Sequence, residues 1–118
     1  MKTAHTTSFP VSIFIAGDHN EALTACRAYC DHIGLCVTVT PTTYAYTDGQ
    51  EAGVIVGLIN YPRFPKLLDE IEAQAIDLGH HLREALGQES FSVQTPARTT
   101  WISFRPADLA HRPDGASQ

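Results

Sequence analysis

Residues 11–16, VSIFIA, alternate: Val11, Ile13 and Ile15 point one way, Ser12 and Phe14 the other. A two-residue period over β-branched and aromatic side chains predicts a strand. Gly17 ends it, and Asp18 followed by Glu21 has the spacing of a helix capping box. The period then lengthens. Ala22, Cys26, Tyr29, Cys30 and Ile33 recur at helical steps, which predicts a helix over about 19–33 stopped by Gly34. LCVTVT (35–40) alternates again as a strand, and PTTYAYT extends it beyond Pro41, a residue suited to an edge or a bulge. DGQEAG (48–53) reads as a turn, and VIVGLI (54–59) as a returning strand, apolar on both faces and so central.

NYPRFP (60–65) leads into the longest helical pattern, about 66–86. Leu68, Ile71, Ala75, Leu78, Leu82 and Ala85 form its core-facing stripe, and Gly87 ends it. FSVQT (91–95), PART and TWISF (100–104) make either one long interrupted strand or a hairpin.

The order β-α-β-β-α-β, with a further C-terminal strand as an option, predicts an α+β ferredoxin-like sandwich: an antiparallel sheet with two helices on one face. Right-handed crossovers then give the strand order 4-1-3-2. A swapped or tautomerase-like β-α-β arrangement is the competing fold. The domain spans 10–105, between polar tails at 1–9 and 106–118 that lack periodicity and read as flexible.

Composition narrows the class. A chain of 118 residues with 43% hydrophobic content holds one core without disulfides or metal. A net charge of −5 disfavours a surface for bulk nucleic acid. No apolar run reaches membrane-spanning length, and the N-terminus makes a poor signal peptide, so a cytoplasmic setting and three free thiols are expected.

Candidate chemistry follows from the topology. One end of the sheet collects Asp18, His19, Asp48, Glu51 and Glu89, an acidic rim whose spacing matches no cation-binding loop. The other end receives NYPRFP, the start of the long helix and the chain after Phe104. Asn60, Tyr61, Arg63, Phe64 and Arg105 are the candidate ligand-binding residues there. Arginine pairs with a phosphate or carboxylate, a helix N-terminus adds unpaired N–H groups, and an aromatic ring stacks on a planar ligand. The same hexapeptide also reads as a stiff corner, with Pro65 at the first helical position and Phe64 capping the core.

Cys26 and Cys30 share a helical face and read as core; with Cys36 they lack the paired spacing of a zinc site. His81 borders the apolar stripe of the long helix and His80 faces solvent, and no nucleophile–base motif accompanies either. The sheet face without helices carries Phe14, Thr38, Thr40, Tyr44, Tyr46 and Trp101, a surface for a second copy or a ligand.

These residues favour a non-enzymatic, homo-oligomeric protein that captures an anionic small molecule such as a nucleotide, without a cofactor or metal. An inhibitor that binds a host protein is the alternative, and a small enzyme using His19 or His81 with a carboxylate the second. The segment GLCVTVTPTTYAYTDGQEAGVIVGLINYPRFP, residues 34–65, resembles small phage and prophage proteins of no assigned activity. That resemblance implies an accessory or counter-defence role in the host-cell cytoplasm and carries over no catalytic residue.

Overall fold

The alternation in VSIFIA becomes β1 (Val11–Ala16), with Val11, Ile13 and Ile15 buried and Ser12 and Phe14 on the opposite face. The computed structural model describes residues 1–110. After β1 come α1 (His19–Ile33), β2 (Thr38–Tyr46), β3 (Gly49–Leu58), α2 (Leu68–Ala85), β4 (Ser90–Gln94), β5 (Thr99–Ser103) and a short α3 (Pro106–Ala110). The sheet order is β2-β3-β1-β4-β5, every pair antiparallel. Read from the other end, this is the expected 4-1-3-2 order with a fifth strand outside the fourth. The fold is ferredoxin-like α+β. The aliphatic side chains of β1, β3 and β4 meet Ala22, Cys26 and Tyr29 of α1 and Ile71, Ala75, Leu78 and Leu82 of α2 in one core.

The helix signals hold at α1. Asp18 Oδ2 accepts from the Glu21 N–H at 3.0 Å, and Gly34 closes the helix in the left-handed region at φ 81°. The start of α2 differs from the reading above. Leu67 is its N-cap, and Glu70 Oε1 accepts from the Leu67 N–H at 2.9 Å. Pro65 therefore stands two residues before the cap, and Phe64, 62% exposed, does not seal the core. At the other end Gln88 N–H donates to Arg83 O and Gly87 N–H to Glu84 O, a Schellman closure.

The start of β3 also moves. Residues 49–53 are strand, not turn: β2 and β3 pair from Tyr46–Gly49 to Thr38–Gly57, so Thr47 and Asp48 alone reverse the chain, Asp48 at φ 66°. Pro41 is accommodated because β2 is an edge strand. Residues 90–103 form a hairpin, pinned where Thr95 Oγ1 accepts from the N–H groups of Ala97 and Arg98, both at 3.1 Å. The two terminal segments are partly engaged. Thr6 and Thr7 hydrogen-bond to Asn60, Phe9 packs on the core, and Pro106–Ala110 is helical; the remainder of the expected C-terminal tail lies outside the described residues. Among the described residues no helix is long and apolar enough to cross a membrane.

Candidate functional site

The end of the sheet where β3 leaves and α2 begins is organised by one buried side chain. Asn60 is 6% exposed, and its Nδ2 donates to Thr6 Oγ1 at 3.1 Å and to Thr7 O at 2.9 Å. Its Oδ1 accepts from the Lys66 N–H at 2.8 Å. The amide ties the N-terminal segment, the end of β3 and the approach to α2 together. Between its two anchors the chain makes a β-turn: Phe64 N–H donates to Tyr61 O at 2.9 Å. Pro62 occupies the second turn position, which its fixed φ suits, and Arg63 the third, at the apex.

That turn forms one wall of a cleft of about 540 Å³, within the usual range for small-molecule sites of roughly 300–1,000 Å³. Leu58 and Ile71 lie at its apolar base, Leu35 and Cys36 form the facing wall, and Gln74 reaches it from the second turn of α2. Tyr61 Oη donates to Cys36 Sγ at 3.4 Å, which bridges the two walls. That hydrogen bond, with burial behind it, raises the Tyr61 phenol above its ordinary pKa. The Arg63 guanidinium lies 5.3 Å from the Phe64 ring centroid, a cation–π contact on an exposed rim. Gln74 Oε1 is buried without a hydrogen-bond partner, a costly arrangement for an amide. The cleft thus offers two aromatic rings, a guanidinium at a turn apex, an unsatisfied amide oxygen and an apolar base.

Of the five candidate ligand residues, Tyr61, Arg63 and Phe64 line the cleft. Asn60 shapes the loop, with its amide occupied as described. Arg105 is not there. The β4–β5 hairpin returns the chain to the opposite end of the sheet, where Arg105 Nη2 lies 3.5 Å from Ser90 Oγ and its guanidinium 5.8 Å from the Trp101 ring. Lys66, Gln74 and Cys36 also line the cleft and escaped the sequence reading. Gln74 follows Ile71 by one helical step, so its nearness to the buried stripe was recoverable. Cys36 falls within the LCVTVT strand pattern, but it precedes β2 and is exposed.

The histidines of α2 exchange roles relative to expectation. His80 packs edge-on against Phe91 and Phe104, with centroids at 5.2 and 5.7 Å. His81 is exposed, 5.1 Å from the Tyr29 ring and 4.0 Å from Asp77. Residue 80 adjoins Gly79, whose missing side chain lets α2 approach the sheet and draws its neighbour inward. Phe14, Thr38, Thr40, Tyr44, Tyr46 and Trp101 do share the helix-free face, as their register requires.

No protein-family model and no curated protein sequence matches the chain. Two solved structures resemble its fold. A phage SAM lyase in the apo state superposes with a TM-score of 0.62 at 16% identity, over 82% of this chain and 90% of its own. A phage SAM lyase in complex with S-methyl-5'-thioadenosine gives 0.62 at 17% identity, over 87% of this chain and 95% of its own. Both neighbours are phage proteins, the class that residues 34–65 resemble, and at these identities the likeness establishes the shared ferredoxin-like architecture.

Proposed function

We propose that the cleft binds S-adenosylmethionine and that the protein splits it into S-methyl-5'-thioadenosine and a four-carbon amino-acid fragment. The observation that carries this reading is the composition of the cleft: Tyr61 and Phe64 beside Arg63, with the Gln74 amide oxygen unpartnered, in a volume fit for a nucleoside. An aromatic wall suits the adenine ring, Gln74 Oε1 suits its exocyclic amine, and Arg63 suits the amino-acid carboxylate. The bound product in one fold neighbour supports the same ligand class. The charge of −5 also suits a sulfonium cation better than a polyphosphate.

The chemistry asks little of the protein in acid–base terms. When the bond between sulfur and Cγ of the methionine chain breaks, its electron pair stays on sulfur. The leaving group is a neutral thioether and needs no proton. Cγ is captured by the substrate's own carboxylate oxygen, which gives a lactone, or Cβ gives up a proton to water as the Cβ–Cγ double bond of 2-aminobut-3-enoate forms. The first course needs only that the carboxylate be held in line and stripped of water, a task for Arg63 and the apolar base.

A second reading is capture of the same ligand without turnover, which the same aromatic and arginine lining serves. In either case we infer a homo-oligomer, because Ile59, Phe64 and Leu67 leave apolar side chains exposed around the cleft. Calorimetric titration with S-adenosylmethionine and S-methyl-5'-thioadenosine, mass spectrometry of the incubated mixture, and native mass spectrometry of the assembly test the set. Product formation that falls at least tenfold in Arg63→Ala supports cleavage. Binding without product supports capture. Failure of both ligands to bind overturns both readings and leaves a host protein as the partner.

A further inference from the structure

Ser92 sits between two aromatic residues on the helix-free face. It is the register partner of Phe14 on one side and of Trp101 on the other. Neighbouring strands lie about 4.8 Å apart, so Phe14 and Trp101 rise from backbones about 9.6 Å apart with only a hydroxymethyl group between them. A flat ring placed midway is about 4.8 Å from each wall, inside the range of roughly 4.5–7 Å at which aromatic rings pair. The slot has a volume of about 210 Å³, with Ser90 along its base and Tyr44 and Gln88 at its end. It lies at the opposite end and on the opposite face of the sheet from the cleft.

Arg105 overhangs this slot. Its N–H donates to Ser103 Oγ at 3.1 Å, and Ser103 Oγ in turn donates to Asp108. Its carbonyl accepts from the N–H groups of Asp108 and Leu109 at 2.9 and 3.0 Å, so the backbone that carries it is held. The guanidinium has only the long contact to Ser90 and the distant Trp101 ring, and among the described residues no carboxylate pairs with it. Glu51 stands on the same face opposite Tyr44, and Glu89 immediately precedes β4, so the surroundings tolerate one anionic group and repel a chain of phosphates.

The geometry points to a second binding site, separate from the cleft: the Phe14–Trp101 slot takes a planar aromatic ring that bears a single anionic group, with the ring between the two walls and the anion on Arg105. Nucleoside monophosphates and aromatic carboxylates share this chemistry. Trp101 is the sole tryptophan of the chain and therefore reports on the slot directly. Its emission, excited at a wavelength the ligands do not absorb, is followed during titration with adenosine 5'-monophosphate, 4-hydroxyphenylacetate, adenosine and inorganic phosphate.

Saturable quenching by either anionic ring, at least tenfold weaker with adenosine and with phosphate alone, is expected, and the stronger of the two identifies the source. Arg105→Gln, a change at an exposed side chain, weakens the anionic ligand at least tenfold and leaves adenosine unchanged. Ser92→Phe fills the slot and abolishes the response, with circular dichroism confirming the fold. Arg63→Ala leaves the titration as in the wild type, so failure of the cleft reading and failure of this one are separable. An emission that no ligand changes overturns the proposal. So does equal binding by wild type and Arg105→Gln, or a blue shift driven by protein concentration alone, which would assign the face to a second copy.

Discussion

Cys26 and Cys36 lie ten positions apart and occupy opposite chemical environments. Cys26 is 1% exposed, and burial, with the neighbouring Cys30 adding to it, pushes its thiol up to about 11 from an ordinary value of 9.0. Cys30 is raised in the same direction, chiefly by burial, whereas Cys36 is exposed at the cleft. Alkylation with iodoacetamide at pH 8 is therefore expected to label Cys36 first and Cys26 last, as read by peptide mass mapping; early labelling of Cys26 would contradict its burial. The same shift carries a stability term. The unfolded thiol ionises at lower pH than the folded one, so Cys26 contributes fully below pH 9.0 and loses that contribution as pH rises toward about 11. Tyr29, raised mainly by burial and also by its 2.7 Å hydrogen bond to Asp77, loses its share from pH 10.0 upward. Urea midpoints measured from pH 7 to 11 should fall above pH 9, less steeply in Cys26→Ala. The core assignment of Cys26 followed from helical spacing, whereas the exposure of Cys36 depends on where β2 starts, which alternation from residue 35 does not reveal.

At the scale of elements, close approach decides more than propensity. Gly79 lies in α2 against the Phe91 ring, and an added Cβ would fall inside that ring's van der Waals envelope. Gly79→Ala sets two effects against each other. Alanine is better than glycine in a helix interior by about 1 kcal/mol, and overpacking a tight core costs about 1–3 kcal/mol. Phe91 is 2% exposed and has little room to move, so a net loss of up to about 2 kcal/mol is expected by urea unfolding. A gain would mean that the ring relaxes freely. The corner that precedes α2 belongs to the same scale. Pro62 serves the β-turn and Pro65 lies outside the helix, so the two prolines stiffen a loop that Asn60 anchors and leave Arg63 at its apex. Proline in that segment was enough to expect a corner. The part played by Asn60 was not readable, because its partners Thr6 and Thr7 are more than fifty residues away in the chain.

Across the whole molecule, one buried carboxylate joins the helix layer to the last hairpin. Glu72 is 7% exposed, and Arg98 in the β4–β5 turn reaches it with two hydrogen bonds of 3.0 and 3.2 Å. Arg98→Ala leaves that carboxylate unpaired and should lower the thermal midpoint more than Glu72→Gln does, and the double variant should recover part of the loss. Additive effects would show that the pair is not coupled. The hydrophobic periods of the chain, its capping residues and its glycine stops determined by themselves the two long helices and the middles of the first three strands. With the handedness of crossovers they also determined the order of the first four strands, because these are local rules applied in series. Only the tertiary structure decided which end of the sheet each functional side chain reaches. One turn at residues 95–98 carries Arg105 away from Arg63 and beside Trp101, and packing between distant segments buries Glu72 and leaves Gln74 without a partner. Such outcomes depend on contacts made across the fold, and no stretch of neighbouring residues encodes them.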